Sequence, residues 1–382
     1  MTKNESIKQT MEQTKERRKN MVCRVFQIKV VSGKLSKEKR EHITALFREA
    51  KWLRNAVLGS EDAFTFDRDA KSVPVMIGGE FEERRLEVIG SQMKQDIVDG
   101  VKSEIRGLAT KKAKGEKTGK LKFKGYCNSI PLRQYGTTYR IDAEHNTISI
   151  QGLHKPIKVR GLKRIPKDAE CANAKLVRKP SGLYFHITTY CLPDEQIQTG
   201  AVVGIDFGIQ NNMTLSDRRE INISVEETNA VKLISRRVNK SFVKNGKKKT
   251  ANHRKRVAQL QRAYEKQTNI KKDLAQKVVS ELLSQYDYIA IQDEMIASWH
   301  KGLFGKQVQY SAMGFIKAKL KTNSKTHVVG REYPSTQKCP MCGENTKHPL
   351  NLRHYECSHC GYYHPSRDVK SAEMLLMEAL QQ

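Results

Sequence analysis

The chain has 382 residues, 70 of them Lys or Arg and 41 Asp or Glu, for a formal charge of +29. That excess is far more than solubility asks of a domain and points to a polyanionic partner, because every phosphate neutralised releases condensed counterions. With 38% apolar residues the chain can bury a core without staples, and the lack of a run of about 18 apolar residues excludes a membrane-spanning helix.

In chain order, residues 1–20 are polar with no apolar core, so they are expected to form a flexible basic arm and not a secretory signal. Residues 21–33 read as a strand ending in a turn. Residues 34–57 place Ile43, Leu46, Phe47, Ala50 and Leu53 at helical spacing. An irregular stretch with a short strand at 72–77 follows, then a helix over 83–108 and a Lys/Gly-rich loop over 107–119. From 121 the apolar period becomes two, and short strands are expected at 122–125, 137–142, 147–151, 157–159, 174–178 and 184–190. Short strands at this spacing suggest a small barrel, which the first strand joins, with 34–120 inserted as a helical domain.

A polar break, PDEQIQTG, ends at Gly200. Beyond it the reading is a buried strand at 201–207, an Asn-rich turn, two helical segments over 225–284 around the very basic stretch 240–256, a strand at 288–292, one helix over 308–321, a strand at 326–330, a cysteine module at 334–363 and a last helix at 368–380. The arrangement is α+β and multidomain.

Four cysteines (Cys23, Cys127, Cys171, Cys191) are scattered singly and read as small buried hydrophobes. The other four form Cys339-x-x-Cys342, fourteen residues, Cys357-x-x-Cys360, with a Gly after each pair. Four thiolates on two such knuckles suit one tetrahedral Zn²⁺ in a closed structural site, and the usage as a whole fits a reducing cytosol.

Three acidic positions stand at element ends. Asp206 lies where the strand VVGID meets a Gly turn. The strand YIAIQDE carries Gln292 and Glu294 on one face and Asp293 on the other. Asp368 opens the last helix, where its charge also suits the helix N-terminus. Three carboxylates gathered from such ends can hold two Mg²⁺ ions about 3.5–4 Å apart for phosphodiester hydrolysis.

These motifs resemble the TnpB family, the transposon-encoded RNA-guided nucleases related to compact type V CRISPR effectors. GIDFGIQNNMTLSD at 204–217, IQDEMIASWHKG at 291–302, the CPMC and CSHC pairs, and SRDVKSAEMLL at 366–376 match its three nuclease motifs and its zinc ribbon in order, and GKLKFKG at 119–125 resembles its basic segment before the wedge domain. The resemblance implies an RNase H-like RuvC nuclease domain (200–333 and 364–382) with an inserted zinc ribbon (334–363), and a wedge β-barrel (21–33 and 121–198) carrying a helical recognition domain (34–120). It implies catalysis by Asp206, Glu294 and Asp368 with Mg²⁺, a structural Zn²⁺ on Cys339, Cys342, Cys357 and Cys360, and a cytoplasmic prokaryotic setting. The implied partners are a guide RNA from the transposon right end and double-stranded target DNA, bound by a monomer. Glu294 keeps an acid in the second motif, with Asp293 as the alternative register. Lys370 stands where the family usually has Asn.

Expected nucleic-acid contacts are Gln92, Lys94, Gln95 and Lys102 on one helix, Lys122 and Lys124, and Lys247, Lys248 and Lys249 in the basic run. Arg48, Lys51 and Arg54 either contact phosphate or are simply exposed. Phe123, Tyr126, Tyr135 and Tyr139 either stack on nucleotides or pack in the barrel. Trp299 is expected in the core, with His300 as a candidate near the scissile strand. A nuclease-dead RNA-guided repressor and a transposase acting directly on transposon ends are the competing readings.

Overall fold

A computed structural model describes every residue except 1, 2, 194–197, 245, 247, 248 and 350, and all described side chains except those of residues 3, 4 and 7. The chain forms two compact units, Met1–Asp194 and Glu195–Gln382.

The first unit contains α1 (Lys3–Arg18), β1 (Val22–Val30), α2 (Lys37–Gly59), β2 (Ser72–Ile77), β3 (Glu80–Arg85), α3 (Ser91–Ala113), β4 (Ser129–Leu132), β5 (Tyr139–Asp142), β6 (Thr147–Ile150), β7 (Ile157–Arg160), β8 (Glu170–Lys179) and β9 (Gly182–Cys191). Seven strands in the order β4-β8-β9-β1-β7-β6-β5 curl into a nearly closed barrel. The first strand of the chain sits at its centre, antiparallel to β9 from Val22↔Cys191 to Lys29↔Tyr184 and to β7 at Val30↔Val159. Alternation sends Ile28, Val30, Leu176, Phe185 and Ile187 inward. Each such side chain is worth about 1.5–3 kcal/mol on full burial.

Ser36 caps α2 by accepting the Lys39 N–H. The apolar face of α2 packs with Met93, Val98 and Val101 of α3 into one core continuous with the barrel. Glu49, only 3% exposed, accepts the Val88 and Ile89 N–H groups at 2.9 and 3.0 Å, which fixes the chain as it enters α3.

Four local expectations are corrected here. Residues 3–18 form a helix, not a flexible arm; Arg17 and Arg18 anchor its end on Glu170 at 3.0 and 2.6 Å. Residues 83–85 belong to β3, because Gly78 and Gly79 (φ 64° and 107°) supply the left-handed turn that folds 72–85 into a hairpin. Residues 122–125 are not a strand: the Asn55 amide replaces a neighbouring strand, donating to Lys124 O and accepting from Lys124 N at 2.9 Å each. The strand that does form, β4, was hidden by Pro131, tolerated because β4 lies at the sheet edge.

The second unit contains β10 (Val202–Phe207), β11 (Met213–Leu215), β12 (Glu220–Ile221), α4 (Asn229–Lys244), α5 (Ala251–Gln285), β13 (Tyr288–Gln292), α6 (Ile296–Trp299), α7 (Gly305–Tyr310), α8 (Met313–Leu320), β14 (Thr326–Val329), β15 (Tyr355–Glu356), β16 (Tyr363–His364) and α9 (Arg367–Gln381). Its five-stranded sheet has the order β12-β11-β10-β13-β14; β10, β11 and β12 are antiparallel, while β10, β13 and β14 are parallel. The sheet is covered on both faces: Val279, Leu282, Met313 and Ile316 build one core, and Leu375 and Ala379 of α9 meet Ala290 and Val329 in another. Double coverage explains why β10 is buried at every position from Val203 to Phe207 instead of alternating. The single helix expected over 308–321 is broken at Ser311, whose backbone is extended and whose hydroxyl donates to Val308 O.

Candidate active site and metal centre

Parallel pairing of β10 with β13, in register from Val202↔Tyr288 to Ile205↔Ile291, makes the two strands end side by side. Asp206 projects from the end of β10 and Glu294 follows β13 by two residues. Ser366 caps α9 by accepting the Val369 N–H, which sets Asp368 in the first helical turn. All three acids line one cleft of about 920 Å³, together with Trp299, Asn351, Arg353 and Arg367.

Asp206 is 9% exposed and accepts a 3.0 Å hydrogen bond from Ser371 Oγ on α9. Burial first, and then the neighbouring Glu294 charge, push its carboxyl up to about 8; Asp368 adds to the repulsion. Burial also raises Glu294 to about 7, against the pull of Lys317. Glu294 Oε2 is buried without a hydrogen-bond partner: Lys317 Nζ stays 3.9 Å away and donates to the Glu294 carbonyl at 2.7 Å. Two carboxyls with disfavoured charge and an orphaned buried oxygen, facing a third acid, suit a hard divalent cation that takes oxygen ligands. Asp293 points elsewhere, pairing with Lys321 at 2.7 Å and lying 3.8 Å from Arg331, and does not line the cleft.

Three side chains at this site carried no sequence expectation. Arg353 Nη1 lies 3.6 Å from Asp368 Oδ2, and Arg367 Nε lies 3.9 Å from Oδ1. Ser371 orients Asp206. The only signal available was proximity to Asp368: Arg367 precedes it and Ser371 lies one helical turn beyond. His300 is exposed, whereas Trp299 is partly buried against the core.

The four clustered cysteines converge. Their sulfurs all lie within 4.8 Å of one another, and among the described residues no other set of three or more potential ligands is as tight, the acids included. The Cys339–Cys360 and Cys342–Cys357 separations are 3.6 Å, far longer than a disulfide and close to the edge of a tetrahedron of thiolates about 2.3 Å from zinc. The two knuckles repeat one geometry. Gly343 N–H bonds Cys339 O and Gly361 N–H bonds Cys357 O, each at 3.0 Å, and both glycines have positive φ (77° and 72°). The N–H groups of Cys360 and His359 help pull the Cys357 thiol down to about 5. The donor set fits Zn²⁺, with His348, His354 and His359 outside it.

The expected nucleic-acid contacts separate by burial. Lys94 is 8% exposed and spends its ammonium on Ala70 O at 2.9 Å, and Lys102 is 7% exposed, so neither is a free surface cation. Gln92 and Gln95 reach Gln134 and Asp69 at 3.3 Å each. Arg54 is buried against Glu104 at 2.6 Å, and Arg48 lies over Trp52. Lys122, Lys124 and Lys249 are exposed; Lys247 and Lys248 lie outside the described residues. Tyr139 is core, while Phe123, Tyr126 and Tyr135 are exposed. No described helix is long and apolar enough to cross a membrane.

Comparison with known families matches residues 185–298 to a family described as a probable transposase and residues 310–375 to a Cas12f1-like TNB domain. The first match includes Asp206 and Glu294, and the second includes the four cysteines and Asp368. A search of curated proteins returns no match. In chain order, these two matches make residues 185–298 and 310–375 similar to proteins of the TnpB/Cas12f-like family.

Proposed function

We propose that this protein is an RNA-guided DNA endonuclease with one RuvC-type site, in which Asp206, Glu294 and Asp368 hold Mg²⁺. The observation that carries the reading is the meeting of these three acids, from β10, the end of β13 and α9, in one cleft. The strand order, three antiparallel strands followed by two parallel ones, supports an RNase H-like domain, and the cysteine module supports a structural zinc ribbon within it.

In this reading Mg²⁺ supplies an activated water and stabilises the leaving oxygen of the phosphodiester. The chain's own residues position the parts. Ser371 fixes the Asp206 carboxylate. Lys317 holds the backbone at Glu294 and leaves its Oε2 free for a ligand. Arg353 and Arg367 line the cleft, where their charge favours a phosphate. Sequence choice is delegated to guide–target pairing, while the barrel and helical unit read a short flanking motif in duplex DNA.

The test is to co-express the chain with its transposon right-end RNA, purify the complex, and incubate it with Mg²⁺ and a plasmid library carrying a guide-matched target beside a randomised flank. Breaks at the target, absent without the RNA, are expected. The probable-transposase description of the first family favours a second reading, direct action on transposon ends. Guide-independent cutting at those ends would select it.

A further inference from the structure

The helix α4 carries five cations, Lys232, Arg236, Arg237, Lys240 and Lys244, and no acidic residue. Four of them recur every fourth residue, so they form a stripe that winds slowly along one side, with about 6 Å of helix rise between steps. The opposite side, through Val231, Val238 and Ser241, is buried, and the helix packs on α5. All five cations are exposed. Among the described residues none of the five is in an ion pair, whereas Lys277 and Lys271 on α5 are tied to Asp273 and to Gln309 O.

Surface helices ordinarily relieve charge with an acid three or four residues away; like charges at that spacing oppose the helix. Here the repulsion is left in place along the whole exposed side. The first turns of α5 add exposed Arg254, Lys255 and Arg256 with no acid among them. A repeating row of unpaired cations on a rigid rod matches a regularly charged polymer better than a small anion or an acidic protein patch.

We propose that the α4 stripe, Lys232, Arg236, Lys240 and Lys244, is a binding surface for a nucleic-acid backbone, contacting successive phosphates without reading bases. This rests on the nucleic-acid partner of the proposed function but not on its cleavage chemistry. Contact of this kind is sequence-independent and salt-sensitive.

The test replaces the four by Gln and measures affinity against salt, without added Mg²⁺, for three probes: a mixed-sequence single-stranded RNA, a DNA duplex and an RNA–DNA hybrid. If all four meet phosphates, the magnitude of the log K against log salt slope falls by about 2.8 on the single strand or about 3.6 on duplex DNA. The probe showing the full loss identifies the resident strand, and single Arg236→Gln and Lys240→Gln variants each lose about a quarter of it. Unchanged slopes on all three probes overturn the proposal. So does an equal loss on removing four exposed lysines of the other unit (Lys37, Lys155, Lys163 and Lys167 to Gln), which would make the effect one of net charge. The endonuclease reading is judged separately, by guide-dependent breaks.

Discussion

Lys370 Nζ lies 3.9 Å from the centre of the Tyr355 ring and donates a 3.0 Å hydrogen bond to Ser335 O. The side chain is fully buried, two residues after Asp368 and against the cysteine module that Tyr355 helps pack. Burial pulls its ammonium down to about 8. The strut therefore joins the helix that carries one cleft acid to the ribbon and to the loop leading into it. It takes a side chain as long as Lys to reach the ring and the Ser335 carbonyl together.

Truncating that strut should cost more than neutralising it. Lys370→Ala leaves a cavity and an unmet carbonyl, with an expected loss of about 2–4 kcal/mol. Lys370→Met leaves the same carbonyl unmet but keeps most of the volume and removes a desolvated charge, so it should cost about 1–2 kcal/mol less than Lys370→Ala. Urea unfolding of the zinc-loaded protein separates the two; equal losses would mean that the charge, not the packing, matters.

Gly204 lets β10 pass close against α9. A Cβ there would stand 1.9 Å from Ala372 O, which is backbone and cannot swing aside. Because β10 carries Asp206 and α9 carries Asp368, Gly204→Ala must push apart the elements that bring the two acids together. A destabilisation of about 3–5 kcal/mol is expected, together with loss of any activity of the cleft, read by thermal melting and cleavage in parallel.

The cysteine module has a very small apolar core, Cys339, Tyr355 and Cys357 with Tyr362 against it, so a metal on the four thiolates is expected to supply much of its folding energy. One zinc per chain is expected by elemental analysis. Chelation or Cys357→Ser should expose residues 336–363 to protease while the barrel of the first unit keeps its own core and melting transition. A module that resists protease after zinc removal would contradict the assignment.

Asp287 takes N–H bonds from Thr199 and Gly200 at 2.6 and 2.7 Å and Lys325 Nζ at 2.8 Å. The Lys325 contact first, and then these N–H groups, hold its carboxyl down at about 2. A lowered folded-state value means stability that is present above the ordinary aspartate value near 3.8 and is lost as pH falls towards 2. Asp287→Asn should melt below the parent at neutral pH, and the gap should close as pH is lowered from about 5 towards 2. A gap independent of pH would show that the latch works through shape alone.

What the sequence made legible follows from how local each signal is. Paired CxxC knuckles and a strand ending in Asp206 are local patterns, so the cysteine cluster and the first acid could be named before the fold. The choice between Asp293 and Glu294 could not be read from alternation alone, because both stand beyond the last residue of β13, where Lys321 and Arg331 draw Asp293 away. Lys94 and Lys102 looked like free cations because their helix was legible and its buried face was not: α3 packs against α2 through long-range contacts. Asn55, standing in for a strand beside Lys124, left no periodic trace at all.

The central claim is tested most directly by the second carboxylate. With the guide-loaded complex, Mg²⁺ and a matched target plasmid, Glu294→Gln should reduce double-strand breaks to background while guide-dependent binding of the target persists, as should Asp206→Asn and Asp368→Asn; Asp293→Asn, whose partner lies outside the cleft, should cut at a rate near the parent's. Undiminished cleavage by Glu294→Gln, or its loss in Asp293→Asn alone, would contradict the account.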